Sequence, residues 1–476
     1  MILRRLYDDE LAQAGYLLGC EATHEAVVVD PNLDIQRYID AAQDEGLAIT
    51  HVTETHIHAD FVSGVRALAA ATGARLLVSA EGGPDWQYRV PDGATLVHDN
   101  DEIHVGAIHL TALHTPGHTP EHLSFLVTDT AVSDQPVGML SGDFIFVGDV
   151  GRPDLLERAA HVAGTMDTSA RQLFASLRRT ASLPDHLQLW PGHGAGSACG
   201  KALGAMPQST LGYERLVNAA LRQTDETAFV REILAAQPEP PRYFARMKRV
   251  NRDGAPAAPT GDLTRRLDAG EVDAAIRGGV LVIDTRPSAA FCTGFVPGAI
   301  CVPKSKSFSG YFGTVAPEEA PVVVLVDNAS DVSPLVQRLR LIGFDRVAGW
   351  AVAAEVLAAR RRSGSPVATL DRADLAEVRR RLAGRRPPRL VDVRGAGERE
   401  AGVIPGSIGV ALGDLADWAA AASREDPVIV QCHAGSRAVI GASVLVGRGF
   451  ANVTPMTGGY DAWTAAGLPV LTPAPS

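Results

Sequence analysis

The chain has 476 residues, too many for a single hydrophobic core, so two to four domains are expected. With 46% hydrophobic and 21% charged residues it has the composition of an ordinary globular protein, and its net charge of −11 argues against nucleic acid or an anionic membrane as a partner. No apolar run is long enough to span a bilayer, and acidic residues follow Arg4 and Arg5 where a signal peptide needs an apolar core. The five cysteines, Cys20, Cys199, Cys292, Cys301 and Cys432, are scattered without framework spacing, which implies reduced thiols and a cytoplasmic location.

In chain order, residues 1 to about 235 alternate short apolar strands with helical stretches. Strand-like runs at 26–30, 49–56, 138–143 and 187–193 end on Asp30, His56, Asp143 and His193. Functional groups at strand ends are how a rigid sheet presents a site. The stretch Thr55-His56-Ile57-His58-Ala59-Asp60-Phe61 places two histidines and an aspartate at alternate positions, a compact set of nitrogen and oxygen donors. Further donors follow: His118 in a Thr-Pro-Gly-His-Thr-Pro run, Asp143 after Ser-Gly, and His193 after Pro-Gly. A lone histidine is ordinarily a solvated or hydrogen-bonded side chain, and the chain has 14. The ordered set, each member in a Gly/Pro-rich strand-end loop, is what points to a metal. Cys199 reads either as a buried structural thiol or as a thiol beside the metal that carries or exchanges sulfur. The proline-rich stretch 237–261 reads as an inter-domain connection, with residues 243–251 apolar and basic enough to dock on the first domain.

The 55–61 run resembles the H-x-H-x-D-H motif of the metallo-β-lactamase fold, in which two metal sites share the donors. Phe61 stands where the last histidine would and cannot bind a metal, so one ion rather than two is expected. With the His118 and Asp143 segments, residues 1–250 resemble the persulfide dioxygenase branch of that fold, relatives of glyoxalase II. The resemblance implies one Fe(II) per chain held by His56, His118 and Asp143, with His58, Asp60 and His193 orienting ligands or water, or serving as further ligands. Two imidazoles and one carboxylate leave positions open for substrate and O₂. The loop from Gly148 to Asp154 also matches, which makes Arg152 a candidate for a substrate carboxylate, a surface ion pair being its other reading.

The remainder is an internal repeat. Ile283-Asp-Thr-Arg286 corresponds to Val391-Asp-Val-Arg394, and thirteen residues after each aspartate comes Pro297-Gly or Pro405-Gly. The run ending at Val326 corresponds to the run ending at Cys432, and seventeen residues beyond these come Gly343-Phe344 and Gly449-Phe450. Two copies of one α/β domain with a mainly parallel sheet follow, over 262–362 and 366–476, divided near Arg362-Ser-Gly-Ser-Pro366. In the second copy Cys432-His-Ala-Gly-Ser-Arg437 lies between a strand and an apolar helix. A cysteine opening such a loop faces backbone N–H groups and a helix N-terminus, which favour a thiolate, and Arg437 adds positive charge. The loop and its flanks resemble a rhodanese sulfurtransferase. A cysteine-dependent phosphatase would place five residues between Cys and Arg; here there are four, a smaller cradle suited to a persulfide sulfur. In the first copy Val326 replaces the cysteine and Asp331 the arginine, so that copy is expected to be a non-catalytic spacer or docking domain.

The fold class is therefore α/β: a metallo-β-lactamase αββα sandwich followed by two rhodanese-like domains with parallel sheets. The joint expectation is a sulfide-detoxifying enzyme that oxidises a small-molecule thiol persulfide with O₂ to sulfite and thiol. Cys432 would then combine sulfite with sulfane sulfur to give thiosulfate, and a homo-oligomer, dimer or tetramer, is expected. The alternatives are a glyoxalase II-like zinc thioester hydrolase carrying a sulfurtransferase domain, and a sulfur-responsive binding protein without turnover.

Overall fold

The structure is a computed structural model and describes residues 1–89, 93–158, 164–235, 237–254 and 265–472; the Ala255–Gly261 half of the expected connection lies outside them. The chain divides into two units, residues 1–257 with 340–343, and residues 258–339 with 344–476.

In the first unit β1 (Ile2–Asp8), β2 (Gln13–Cys20), β3 (Glu25–Val29), β4 (Ala48–Thr53), β5 (Arg75–Ser79) and β6 (Thr95–Val97) lie side by side in chain order. The pairs from β1 to β3 are antiparallel and those from β3 to β6 parallel. A second sheet runs β7 (Glu102–Val105), β8 (Ile108–His114), β9 (Leu123–Asp129), β10 (Gly138–Gly142), β11 (Gln188–Pro191) and β12 (Ser209–Thr210). Tyr16, Leu18 and Val27 of the first sheet share one buried cluster with Leu110, Phe125 and Leu140 of the second, so the sheets pack face to face. The outer face of the first sheet, with Val28, Val52 and Val78, is covered by Tyr38 and Leu68 of the helices Gln36–Asp44 and Val65–Thr72. Met139 and Leu189 on the outer face of the second meet Leu173 and Phe229 of the helices Met166–Arg179 and Glu226–Leu234. All eight residues of β2 are buried because both faces of the sheet are covered, which is why β2 shows no polar alternation. The layers run helix, sheet, sheet, helix, as the resemblance implies. The expected docking stretch forms the helix Phe244–Asp253, with Phe244, Met247 and Asn251 buried.

The repeat of the second unit is visible in its sheets. In the first copy the order is β14-β13-β15-β16, from β13 (Leu281–Asp284), β14 (Ile300–Cys301), β15 (Val322–Val326) and β16 (Val347–Val352). The second copy has the same order, β18-β17-β19-β20, from β17 (Arg389–Asp392), β18 (Ile408–Gly409), β19 (Val428–Gln431) and β20 (Val453–Pro455). Every pair is parallel, and Asp284 faces Leu325 as Asp392 faces Gln431. Each copy buries one ion pair of the same shape. Arg286 closes on Asp284 and donates to the Gly294 carbonyl at 2.9 Å; Arg394 closes on Asp392 and donates to the Gly402 carbonyl at 2.8 Å. The copies are docked on each other. Phe291, Phe295 and Cys301 of the first lie in one buried cluster with Val430, Cys432, Ala438 and Ile440 of the second. The Cys301 amide donates to Ser443 Oγ at 3.0 Å. The first copy is thus packed against the second. No helix of the described residues is long and apolar enough to cross a membrane.

Candidate functional sites

Four strand ends build the first site. β4 leads into residues 54–63, His118 lies in the turn between β8 and β9, Asp143 follows β10, and His193 follows β11. His56, His118 and Asp143 come together fully buried, with one donor atom from each within 4.8 Å of the others. Asp143 Oδ2 is 3.4 Å from His118 Nε2 and 3.9 Å from His56 Nε2. The second ring nitrogen of each histidine is held from behind. His118 Nδ1 donates to the Arg152 carbonyl at 3.1 Å. His56 Nδ1 lies 2.9 Å from Thr55 Oγ1, whose own proton goes to Asp30 at 3.0 Å, so Nδ1 must donate there too. Both Nε2 atoms therefore carry lone pairs and face the carboxylate.

That carboxylate has no hydrogen bond on either oxygen. Burial pushes Asp143 up to about 6, drops His118 to about 3 and holds His56 well below its ordinary range. A buried carboxylate opposed by imidazole lone pairs is costly unless a cation lies among them. The donor set thus fits a divalent metal. Gly192 is needed beside it, because a Cβ there would meet Asp143 Oδ1 at 2.7 Å.

His58 is turned away from this trio. Its Nε2 bonds Asp30 Oδ1 at 3.2 Å, and its ring lies on Phe61 with centroids 4.3 Å apart. Burial draws His58 down, but Asp30, Glu54 and Asp60 outweigh it and hold it at about 9. Asp30, held in the left-handed region at φ 53°, also accepts the Thr55 amide at 2.6 Å. Asp60, His193 and Cys199 form a second buried donor group, again within 4.8 Å. His193 Nε2 lies 3.3 Å from Asp60 Oδ2 and 3.6 Å from Asp143 Oδ1, while its Nδ1 donates to the Ala12 carbonyl at 3.0 Å. Burial, then Asp60 and Asp143, push the Cys199 thiol up, which keeps it protonated in the absence of a cation.

Arg152 is placed differently from either expectation. It is neither open to a substrate carboxylate nor in a surface pair: the guanidinium is fully buried, on Asp154 at 3.0 and 2.7 Å and on the Ala198 carbonyl at 3.0 Å. Its backbone carbonyl holds His118, so this one residue ties a candidate ligand to the loop beside Cys199. The sequence marked Asp30 as the polar end of the Ala-Val-Val-Val-Asp strand but gave it no role; it binds His58 and Thr55. Sequence reasoning missed His122, whose Nε2 accepts the Asp143 amide at 3.1 Å and which lies in the same run as His118.

The second site is the loop between β19 and the helix Ser436–Gly447. Cys432 is buried, and its Sγ accepts the Gly435 amide at 3.1 Å. Gly435, at φ 105°, takes a left-handed conformation that turns this amide onto the sulfur. Arg437, expected to add a fixed positive charge to the loop, is closed on Glu398 by two bonds of 2.6 Å. An anion arriving at Cys432 therefore meets a paired guanidinium. Nothing local in the sequence announces Glu398, which also caps its own helix through the Gly395 amide at 3.0 Å. In the first copy Val326 is fully buried and Asp331 is paired with Lys304, which holds its carboxyl below the usual range. Ala329 stands where Gly435 does, at the start of a short 3₁₀ turn, Ala329–Asp331. Val326→Cys is accordingly expected to give a buried thiol with no sulfur transfer above background when assayed in a chain that also carries Cys432→Ser. Transfer at the rate of the second copy would show that the loop, and not the missing thiol, was misread.

Residues 9–193 match the family model described as metallo-beta-lactamase superfamily, and residues 262–349 and 374–466 match the rhodanese-like domain. A metallo-beta-lactamase structure from Staphylococcus aureus subsp. aureus COL is 40% identical, with a TM-score of 0.68, over 74% of this chain and 99% of that one. A hydroxyacylglutathione hydrolase of Polaromonas sp. is 33% identical over 195 residues, 40% of this chain and 66% of the relative. The mitochondrial persulfide dioxygenase of Bos taurus is 26% identical over 195 residues, 40% of this chain and 68% of that protein. The chain spans 60 to 66% of the length of the curated hydroxyacylglutathione hydrolases that it matches. A buried nitrogen and oxygen donor set at the strand ends of an αββα sandwich, and a cysteine loop in one of two repeated parallel sheets, agree with these matches: the chain belongs to the metallo-β-lactamase superfamily and carries two rhodanese-like domains after that domain.

Proposed function

We infer that the first unit binds one ferrous iron between His56, His118 and Asp143 and acts as a persulfide dioxygenase, and that the second rhodanese-like copy transfers sulfur through Cys432. The observation that carries this reading is the buried Asp143 carboxylate, without a hydrogen bond and facing two oriented imidazoles. Phe61, fully buried against His58, fills the place of the ligand that a second ion would need. Iron held by such a set supplies open coordination positions and electrons for O₂ chemistry. The chain's own residues do the rest: Thr55 and the Arg152 carbonyl keep both Nε2 atoms inward, and the apolar wall of Phe61, Phe144 and Phe146 excludes bulk water. A persulfide, O₂ and water would give free thiol, sulfite and two protons, the outer sulfur being oxidised. At the second site the Cys432 thiolate would take the outer sulfur of a donor as a persulfide. Attack by sulfite on that sulfur would release thiosulfate and restore the thiolate. Joining the two sites in one chain raises the effective concentration of sulfite at its acceptor.

Two outcomes decide the matter. Iron near one per chain, with O₂ uptake driven by a glutathione or coenzyme A persulfide, is the expected result. A second reading, a zinc thioester hydrolase with two ions, is favoured by the Asp60, His193 and Cys199 donor group. Two zinc ions per chain with thioesterase activity and no O₂ uptake would establish that reading instead.

A further inference from the structure

None of residues 54–62, which carry His56, lies in a helix or strand, so their backbone polar groups need partners from elsewhere. The Thr55 amide goes to Asp30, the Ile57 amide to Glu121 and the Val62 amide to the Leu341 carbonyl. The carbonyls of His58, Asp60 and Phe61 instead find theirs in the helix Phe244–Asp253 and the residue before it, beyond the residues that match the metal-domain family. Asn251, buried, donates from Nδ2 to the His58 carbonyl at 2.7 Å and to the Phe61 carbonyl at 2.7 Å. Its Oδ1 accepts the Ser63 amide at 2.9 Å. Tyr243 donates its hydroxyl to the Asp60 carbonyl at 2.8 Å. The helix is itself fixed: Lys248 Nζ lies 3.4 Å from the centre of the Trp86 ring, and the Arg252 carbonyl accepts the Arg89 amide at 2.9 Å.

We propose that Asn251 and Tyr243 are positioning residues of the metal centre, holding the 58–63 loop so that His56 Nε2 faces Asp143. In a two-metal site an ion bound at residues 60 and 61 would cross-link this loop; with Phe61 there, the side-chain amide of Asn251 supplies the cross-link. Both amide hydrogens and the carbonyl are used, so the role depends on an amide and not on bulk. An aspartate of the same shape would set a carboxylate oxygen against two carbonyls. The inference rests on the three-residue metal reading above, and its test uses a probe that needs no dioxygenase activity.

The experiment titrates metal-free full-length chain with Co²⁺, following the visible ligand-field bands and the affinity by chelator competition. Asn251→Ala and Asn251→Asp are expected to weaken Co²⁺ roughly ten- to hundredfold, the range found when partners behind metal ligands are removed, and to shift the bands. Tyr243→Phe should do the same to a smaller degree, and it decides the matter if the Asn251 variants do not fold. Wild-type affinity and bands in the variants, even with a lowered melting temperature, would reduce both residues to a structural role and overturn the proposal. His56→Ala is the control that separates the two readings. If it leaves Co²⁺ binding unchanged, the metal assignment itself has failed, and the positioning role falls with it.

Discussion

Replacing Cys432 by serine should abolish thiosulfate formation, by about 10³-fold or more, while O₂ uptake with persulfide continues and sulfite accumulates. The reason lies in bonding: a hydroxyl is a poor nucleophile toward sulfane sulfur and cannot hold it as a transferable persulfide. The buried loop should tolerate the change, since oxygen and sulfur both accept the Gly435 amide. Separate assays of O₂ consumption and of thiosulfate check this. Parallel loss of both activities would mean that Cys432 takes part in the oxidation as well.

Asp143→Ala should strip the first site of iron and of O₂ uptake while leaving sulfur transfer from thiosulfate at Cys432 intact. It removes the one carboxylate between His56 and His118, so the affinity should fall by more than the roughly hundredfold that loss of an outer partner costs. Asp143→Asn has a second expected effect. Without metal, the wild type buries a carboxylate that has no hydrogen bond; the amide removes that charge, so the metal-free variant should melt higher than the metal-free wild type. Calorimetry of the two metal-free proteins reads this directly. A lower melting temperature for the variant would show that something other than a cation satisfies Asp143.

How far these sites could be read from the sequence followed the length scale of their contacts. The donors His56, His118 and Asp143 sit in short Gly/Pro-marked runs at strand ends, and the repeat keeps its spacing, so both were legible. Asn251 and Glu398 were not, because each acts across a distance the chain does not advertise: Asn251 lies 193 residues from His58, and Glu398 is 39 residues from Arg437. A helical asparagine or glutamate carries no local mark of the loop it will meet. Arg152 failed for a related reason. Its loop motif placed it near the site correctly, but only the fold reveals that Asp154, two residues on, turns back to engage the guanidinium. In the first copy the substitutions Val326 and Asp331 were visible, whereas the left-handed turn at Gly435, where the first copy has Ala329 in a 3₁₀ turn, needed the backbone conformation to be known.

The buried cluster shared by the two rhodanese-like copies has a thermodynamic consequence. Phe291, Phe295 and Cys301 complete the core beneath Cys432 and Ile440, so neither copy can open without exposing apolar surface of the other. Local openings follow the stability of contiguous cooperative units, and here the unit includes both copies. The first copy, which has no thiol at position 326, therefore contributes to the stability against opening of the thiol loop of its neighbour.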